Sequence, residues 1–316
     1  MQAAVLTSTV DMDRDQWLEA RKKGIGGSDA SIILGLNKWK TPFELWLEKT
    51  GQVITEEIQS DAAYFGNQLE DLVAKEFEKR SGKKVRRRNA ILQHPKHDFI
   101  IANVDRMVVG EKAVLECKTT SAYNAKEWES EEIPESYIIQ LQHYLGVLGP
   151  EYEKGYFAVL IGGNKFVWKE IERDDELINL IFEREVEFWN HHVLGNIAPV
   201  LDGSSAAEQY LKQKYEKAEK GKSVDLTSEY KEKIDHYLSL RDSIKALDEQ
   251  AKEIENQIKN EMKDAELAFV KNFQTEWKPI TSNRIDSKKL KEQFPNIYEQ
   301  VVKQTSYRRF GIKEIS

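Results

Sequence analysis

Two apolar, β-rich runs each end in an acid where a hydrophobic residue would be expected, and this pairing narrows the fold more than any other feature. The first is Phe99-Ile100-Ile101-Ala102 leading to Val104-Asp105. The second is Ala113-Val114-Leu115 followed by Glu116-Cys117-Lys118. Runs of this composition read as strands. A charge set into a buried strand is costly unless it is paired or metal-bound, so these acids demand a local reason. Together with Val85 to Leu92, and with His94-Pro95 and Gly110-Glu111-Lys112 as turns, the segments predict a three-strand meander. Asp105 falls in its second strand and Glu116 in its third. Neighbouring strands lie ~4.8 Å apart, so two carboxylates at matching depth can share a divalent ion. Side chains two apart share a face, which puts Lys118 beside Glu116. Carboxylates that hold Mg²⁺ or Mn²⁺ against a phosphodiester, with an ammonium to position water or stabilise developing charge, describe a phosphodiesterase centre. Glu-x-Lys on a surface strand is otherwise an ordinary solvated pair; the apolar context sets this one apart.

Helical periods surround these strands. Trp17, Leu18 and Arg21 sit at helical spacing, Gly24 to Gly27 interrupts them, and Ser28-Asp29 predicts the cap of a second helix carrying Ile32, Ile33 and Leu36. Pro42 opens a helix with Phe43, Leu45, Trp46 and Leu47, closed by Gly51. Phe65, Leu69, Leu72, Val73 and Phe77 make an apolar stripe over Asp61 to Ser81, stopped by Gly82. Pro134 to Leu148 and Asp174 to Val193 read as further helices, and Glu153 to Ile161 with Phe166 to Ile171 as a hairpin. The expectation is an α+β fold, a mixed central sheet flanked by helices, over residues 1–200.

Beyond Leu201 the pattern changes. Ser204 to Gly221 predicts a helix, and from Tyr230 through Ile234, Tyr237, Leu240, Ile244, Leu247, Ala251, Ile254, Ile258 and Met262 apolar residues recur in steps of three and four. Residues 201–265 are thus expected to form a helical arm. Antiparallel packing on Ser204 to Gly221 or on the core is preferred over an intermolecular coiled coil. Residues 266–316 predict a small tail, with strands at Ala268 to Trp277 and Tyr307 to Ile315 around a helix at Lys288 to Phe294.

Composition excludes several classes. A 316-residue chain with 40% hydrophobic residues can bury a core without disulfide staples. The single cysteine, Cys117, excludes an intramolecular disulfide, a four-cysteine zinc site and an iron–sulfur cluster, and fits a reducing compartment. No run reaches the ~18 apolar residues of a membrane span, so a cytoplasmic protein is expected. The net charge of −7 argues against passive coating of nucleic acid but not against a local basic groove. Lys79 to Arg88, seven basic residues with no acid, offers phosphate-backbone contacts. Trp17, Trp39, Trp46 and Trp189 read as core, and His94, His97 and His143 as polar surface residues.

Val104-Asp105 and Glu116-Cys117-Lys118 in a helix–strand–strand–strand–helix–strand frame resemble the PD-(D/E)xK nuclease superfamily. Arg21 to Ser31, Thr41-Pro42-Phe43 and Phe65-Gly66 to Glu70 resemble, more narrowly, its lambda-exonuclease-like, YqaJ-type viral recombinase family, from about Asp13 to Gly195. Val104 stands where that motif has proline, a position that binds no metal. The resemblance implies Asp105 and Glu116 as metal ligands, the Cys117 backbone carbonyl as a third, and Glu70 as a further ligand or water-positioning acid. It implies Lys118 as electrostatic activator, Gln140 as orienter of water or phosphate, and Arg21 with Ser28 as a pocket for a DNA 5′-phosphate. From the residues alone, Gln140 lies off the apolar stripe and reads as exposed. Also implied are a pair of Mg²⁺ or Mn²⁺ ions, 5′-to-3′ digestion of linear duplex DNA to leave 3′ single-stranded tails, a single-strand annealing recombinase as partner, a ring-shaped homotrimer, and action in a bacterial host cytoplasm. Two alternatives stay open: a structure-specific endonuclease or resolvase on the same core, and a non-catalytic module that binds DNA ends and docks a recombinase.

Overall fold

The computed structural model describes residues 3–52, 60–129, 133–283, 285–303 and 307–314. They fall into two compact units, Met1–Lys214 and Tyr215–Ser316. The first begins with a strand, β1 (Ala4–Ser8), and three helices, α1 (Arg14–Lys22), α2 (Gly27–Ile33) and α3 (Pro42–Thr50). Asp13 caps α1 and Thr41 caps α3, each accepting from a backbone amide three residues on. Ser28-Asp29 is not the cap of α2, as expected from sequence. Gly26 is the cap, Ser28 and Asp29 lie within the first turn, and Asp29 Oδ2 accepts from the Gly26 amide. The long helix α4 (Asp61–Ser81) ends at Gly82 with φ of +74°, a left-handed conformation that glycine adopts at least cost. Its buried residues are Val73, Ala74 and Phe77, whereas Phe65 and Leu72 remain exposed. The predicted stripe therefore holds only toward the C-terminal half; the N-terminal half overhangs a cleft.

The three runs pair antiparallel in chain order as expected, but the first two each break in two, giving β2 (Val85–Arg87), β3 (Ala90–Gln93), β4 (Ile101–Ala102), β5 (Arg106–Val108) and β6 (Ala113–Thr120). Strands β1, β3 and β4 make one antiparallel sheet, while β2 and β5 pair toward β6 in a second. Asp105 accordingly sits in no strand. It occupies the bend that passes the chain from one sheet to the other. Alternation of apolar residues cannot report such a transfer, because the period is the same on both sides of it.

Helices α5 (Ala125–Glu129) and α6 (Glu135–Leu148) carry the chain over to β7 (Lys154–Ile161), which runs parallel to β6 in a register from Ala113 opposite Lys154 to Thr120 opposite Ile161. A parallel neighbour requires such a crossover. Strand β8 (Lys165–Glu172) closes an antiparallel hairpin and completes the mixed sheet, ordered β2-β5-β6-β7-β8. Period-two alternation splits its side chains between two helical layers. Leu115, Tyr156 and Ala158 meet Val73 and Phe77 of α4, and Val114, Phe157 and Val159 meet Leu141 and Leu145 of α6. Helix α7 (Asp175–Glu187) continues into a π-helical stretch, Phe188–Leu194, and α8 (Ser205–Lys214) follows. Helix α8 ends seven residues before the expected Gly221, and its Tyr210 ring lies 5.5 Å from that of Phe43 and 5.7 Å from that of Trp46. With Ala207 and Tyr210 buried, the first unit extends beyond residue 200. Trp46 and Trp189 are core residues as expected; Trp39 is 86% exposed and is not.

The second unit is built on α9 (Glu229–Met262), followed by β9 (Leu267–Val270), β10 (Phe273–Glu276), α10 (Ser287–Gln293) and α11 (Pro295–Val301). The predicted strand at Ala268 to Trp277 is instead an antiparallel hairpin, turned at Lys271 with φ of +51°. Residues 307–314 form no strand, and Ile315 lies outside the described residues. Within this unit Tyr237, Leu240, Ile244, Leu247, Ile254 and Ile258 of the α9 seam are all exposed.

Candidate active site

Arg21, Ser28, Glu70, Asp105, Glu116, Cys117, Lys118 and Gln140 all line one cleft of about 820 Å³. They come from six separate segments: the end of α1, the start of α2, the overhanging half of α4, the bend before β5, the middle of β6, and the buried face of α6. The crossover brings α6 over the same face of β6 that carries Glu116 and Lys118. This places Gln140 where the sequence pattern did not, only 7% exposed. Its Nε2 donates to Glu116 Oε1 at 2.7 Å and to the Tyr144 hydroxyl at 2.8 Å, and its Oε1 accepts from Lys118 Nζ at 3.2 Å. Lys118 Nζ also donates to Glu116 Oε1 at 2.8 Å.

The charges are out of balance in a telling way. Glu116 is 4% exposed, and its second oxygen, Oε2, is buried with no hydrogen-bond partner among the described residues. Among the described residues, Asp105 Oδ2 accepts only a backbone N–H, that of Cys117, at 2.9 Å. Burial, and then the nearby charges of Glu116 and Glu70, push the Asp105 carboxyl well above the usual carboxylate range. Burial pulls the Lys118 ammonium down, but Glu116 and Asp105 more than offset this and hold it above its ordinary value. Burial and the same acids push the Cys117 thiol up, so it is inert as a nucleophile and leaves only its backbone to serve the site. An orphaned carboxylate oxygen beside a carboxyl that resists ionisation is a donor set short of a cation. Among the described residues no three carboxylate, thiol or imidazole groups form a ready cage. The donor set fits a hard divalent ion that keeps several waters and takes one or two carboxylates from the protein. Glu70 enters the cleft from α4 with Oε1 tied to the Arg106 guanidinium, which also holds Asp71 at 2.6 Å.

The 5′-phosphate-pocket candidates line the same cleft. Arg21 Nη2 donates to Ser28 Oγ at 2.7 Å, and its guanidinium stacks over Trp17 at 4.6 Å. Behind them Lys49, fully buried, bonds Asp29 Oδ2 at 2.7 Å and the Arg21 carbonyl at 3.0 Å. Burial works against ionised Asp29, yet Lys49 and Arg21 bring its pKa down to about 2. A guanidinium with a hydroxyl and the first turn of a helix is an anion-binding arrangement.

Sequence reading missed four residues here. Tyr144 follows Gln140 by one helical turn, a spacing that could have found it. Its ring packs so closely on α2 that a Cβ at Gly27 would stand 2.5 Å from it, so glycine is required there. Asp29 and Lys49, which back the Arg21 pocket, and Arg106, which grips Glu70, carry no sequence signal because their partners lie far along the chain. His143 is not a surface residue: it is fully buried, with Nδ1 2.7 Å from Glu185 and Nε2 2.8 Å from the Ile101 carbonyl. Of the basic run, Arg80, Lys83, Lys84 and Arg87 pair with Glu76, Glu111, Glu78 and Asp71.

This fold is a mixed α+β core with an acidic cleft beside its central sheet. Residues 16–151 match the model of the YqaJ-like viral recombinase domain. The chain is 70% identical to YqaJ of Bacillus subtilis (strain 168) over 314 residues, covering 99% of this chain and 98% of that one. Similar solved structures include an alkaline exonuclease, LHK-Exo, from Laribacter hongkongensis, at 20% identity and a TM-score of 0.49, covering 63% of this chain and 97% of that one. A phage-related exonuclease from Haemophilus somnus 129PT is similar at 16% identity and a TM-score of 0.42, covering 55% and 95%. The chain belongs to the YqaJ-like viral recombinase family. Among the described residues, no helix is long and apolar enough to cross a membrane.

Proposed function

We propose that this protein is a divalent-metal-dependent deoxyribonuclease that digests linear duplex DNA from 5′ ends and leaves 3′ single-stranded tails for a recombination partner. The observation that carries this reading is the buried, unpartnered Oε2 of Glu116 beside Asp105, in the cleft that also holds Arg21 and Ser28. Asp105, Glu116 and the Cys117 carbonyl would hold Mg²⁺ or Mn²⁺, with Glu70 as a further ligand if Arg106 releases it and a second ion as the family resemblance suggests. The ion supplies charge neutralisation and polarisation of the phosphodiester. The remaining work belongs to side chains. Lys118, kept protonated by its acidic neighbours, stabilises charge developing on the phosphate. Gln140, fixed from two sides, orients the attacking water or the phosphate. Arg21 and Ser28 grip a terminal 5′-phosphate and set the reach to the bond that is cut. A trimeric ring around the duplex, a single-strand annealing recombinase as partner and action in a bacterial cytoplasm complete the proposal and follow from the family resemblance.

The test is a linear duplex labelled separately at its 5′ and 3′ ends, digested with Mg²⁺. Early release of the 5′ label, with the 3′ label retained on strands that shorten from their 5′ ends, supports the reading. Early loss of the 3′ label, or internal cuts that spare both ends, would overturn it.

A further inference from the structure

We infer that α9 is a self-association element that pairs antiparallel with α9 of a second copy of this chain, which in the ring assembly proposed above belongs to a second ring. The helix is 34 residues long, about 51 Å at the standard rise. Its apolar residues recur in the alternating three- and four-residue steps of a coiled-coil seam. Leu240, Ile244, Leu247, Ile254 and Ile258 are 42–64% exposed, and Phe310, the tail residue that touches Tyr237, is itself 76% exposed and does not close the seam. A monomer rarely leaves a stripe of this length and composition in water.

The flanking residues choose both the occupant and its direction. In an antiparallel pair, the layers that set Ile244 against Leu247 of the partner also set Leu240 against the small Ala251, so large and small residues interdigitate. The same register puts Arg241 beside Asp248 of the opposite helix, twice by symmetry. Among the described residues, neither Arg241 nor Asp248 has an ion-pair partner within its own chain. Opposite charges at these edge positions select partner and orientation. A parallel pair would stack Ala251 on Ala251, leave a gap, and bring no opposite charges together across its edges: His236 would face Arg241, Ser243 would face Asp248, and Gln250 would face Glu255. Charge complementarity and layer filling therefore both favour the antiparallel homotypic pair.

The test uses the full chain. Leu240→Cys and Ala251→Cys variants are prepared separately and treated with a mild oxidant alone and after mixing. Cys117, half-buried, is present in every arm, and the unsubstituted protein treated the same way controls for it. A disulfide-linked dimer that forms only in the mixture is the expected result. Dimers from either variant alone indicate a parallel pair, and no dimer in any arm indicates a seam covered by something else; each outcome overturns the inference. In parallel, the solution mass of Leu240→Asp/Leu247→Asp, checked by circular dichroism for retained helix, should be half that of the unsubstituted protein. An unchanged mass would contradict the inference.

Discussion

The Nε2 of Gln140 lies 2.7 Å from Oε1 of Glu116, which commits one oxygen of that carboxylate to the protein while its twin, Oε2, has no protein partner. The same Oε1 accepts from Lys118. Glu116 is thereby held with its free oxygen aimed by two neighbours, and the cleft is poised for a cation.

Such a site is destabilised until it is filled. Asp105→Asn should abolish DNA degradation yet raise the melting temperature of the metal-free protein by about 2–4 °C, the equivalent of about 1 kcal/mol in a unit of this size. The amide keeps an acceptor for the Cys117 N–H and removes a charge that burial and Glu116 oppose. Differential scanning calorimetry with and without Mg²⁺ checks both halves: added Mg²⁺ should stabilise the unsubstituted protein and leave Asp105→Asn unchanged.

Tyr144→Phe keeps the ring that packs against Gly27 and deletes the hydroxyl that accepts from Gln140. One neutral hydrogen bond is worth about 0.5–1.5 kcal/mol, so kcat should fall about 2- to 10-fold with KM for DNA little changed. Gln140→Ala should fall further. Steady-state kinetics on one duplex substrate separates the two; equal KM and kcat losses in Tyr144→Phe would mark the tyrosine as a general structural support instead.

In the same cleft, Arg21→Ala should remove any preference for 5′-phosphorylated over 5′-hydroxyl ends. Lys49→Met should do the same in part, because Lys49 bonds the Arg21 carbonyl and Asp29, while Lys49→Arg should retain more of the preference. Competition between the two end types in one reaction reads this out; a uniform slowing on both would assign Arg21 to structure.

His94 supplies a pH dependence unconnected with catalysis. Its Nδ1 accepts from the Lys96 and His97 backbone amides, which requires a neutral ring, and burial lowers its pKa to about 4. In the unfolded chain the ring takes up its proton at about 6.5. Its contribution to stability is therefore fully present above about 6.5 and is lost as pH falls toward 4. Urea titrations across this window should show stability falling with pH, and His94→Asn should flatten the slope.

The sequence made the local part of this site legible and left the long-range part hidden. Glu116, Lys118 and Asp105 stand out because charge in an apolar run is costly wherever the run goes. The stops at Gly51 and Gly82 follow from backbone chemistry that acts within four residues. Gln140 could not be placed, because its burial depends on a crossover that folds α6 over β6. Likewise the split of Phe99 to Val109 between two sheets depends on which neighbours its halves find. Asp29 with Lys49, Glu70 with Arg106, and His143 with Glu185 are ion pairs between distant segments, and no periodicity encodes them.

The central claim is that this cleft cuts duplex DNA from its ends and needs a divalent cation to do so. It is tested most directly by incubating 5′-phosphorylated linear duplex and closed circular duplex of the same sequence side by side, with Mg²⁺ and with a chelator, and quantifying acid-soluble nucleotide. The prediction is release from the linear substrate in Mg²⁺ alone, with the circle intact and no release from either in chelator. Degradation of the closed circle, or of the linear substrate in chelator, would contradict the account.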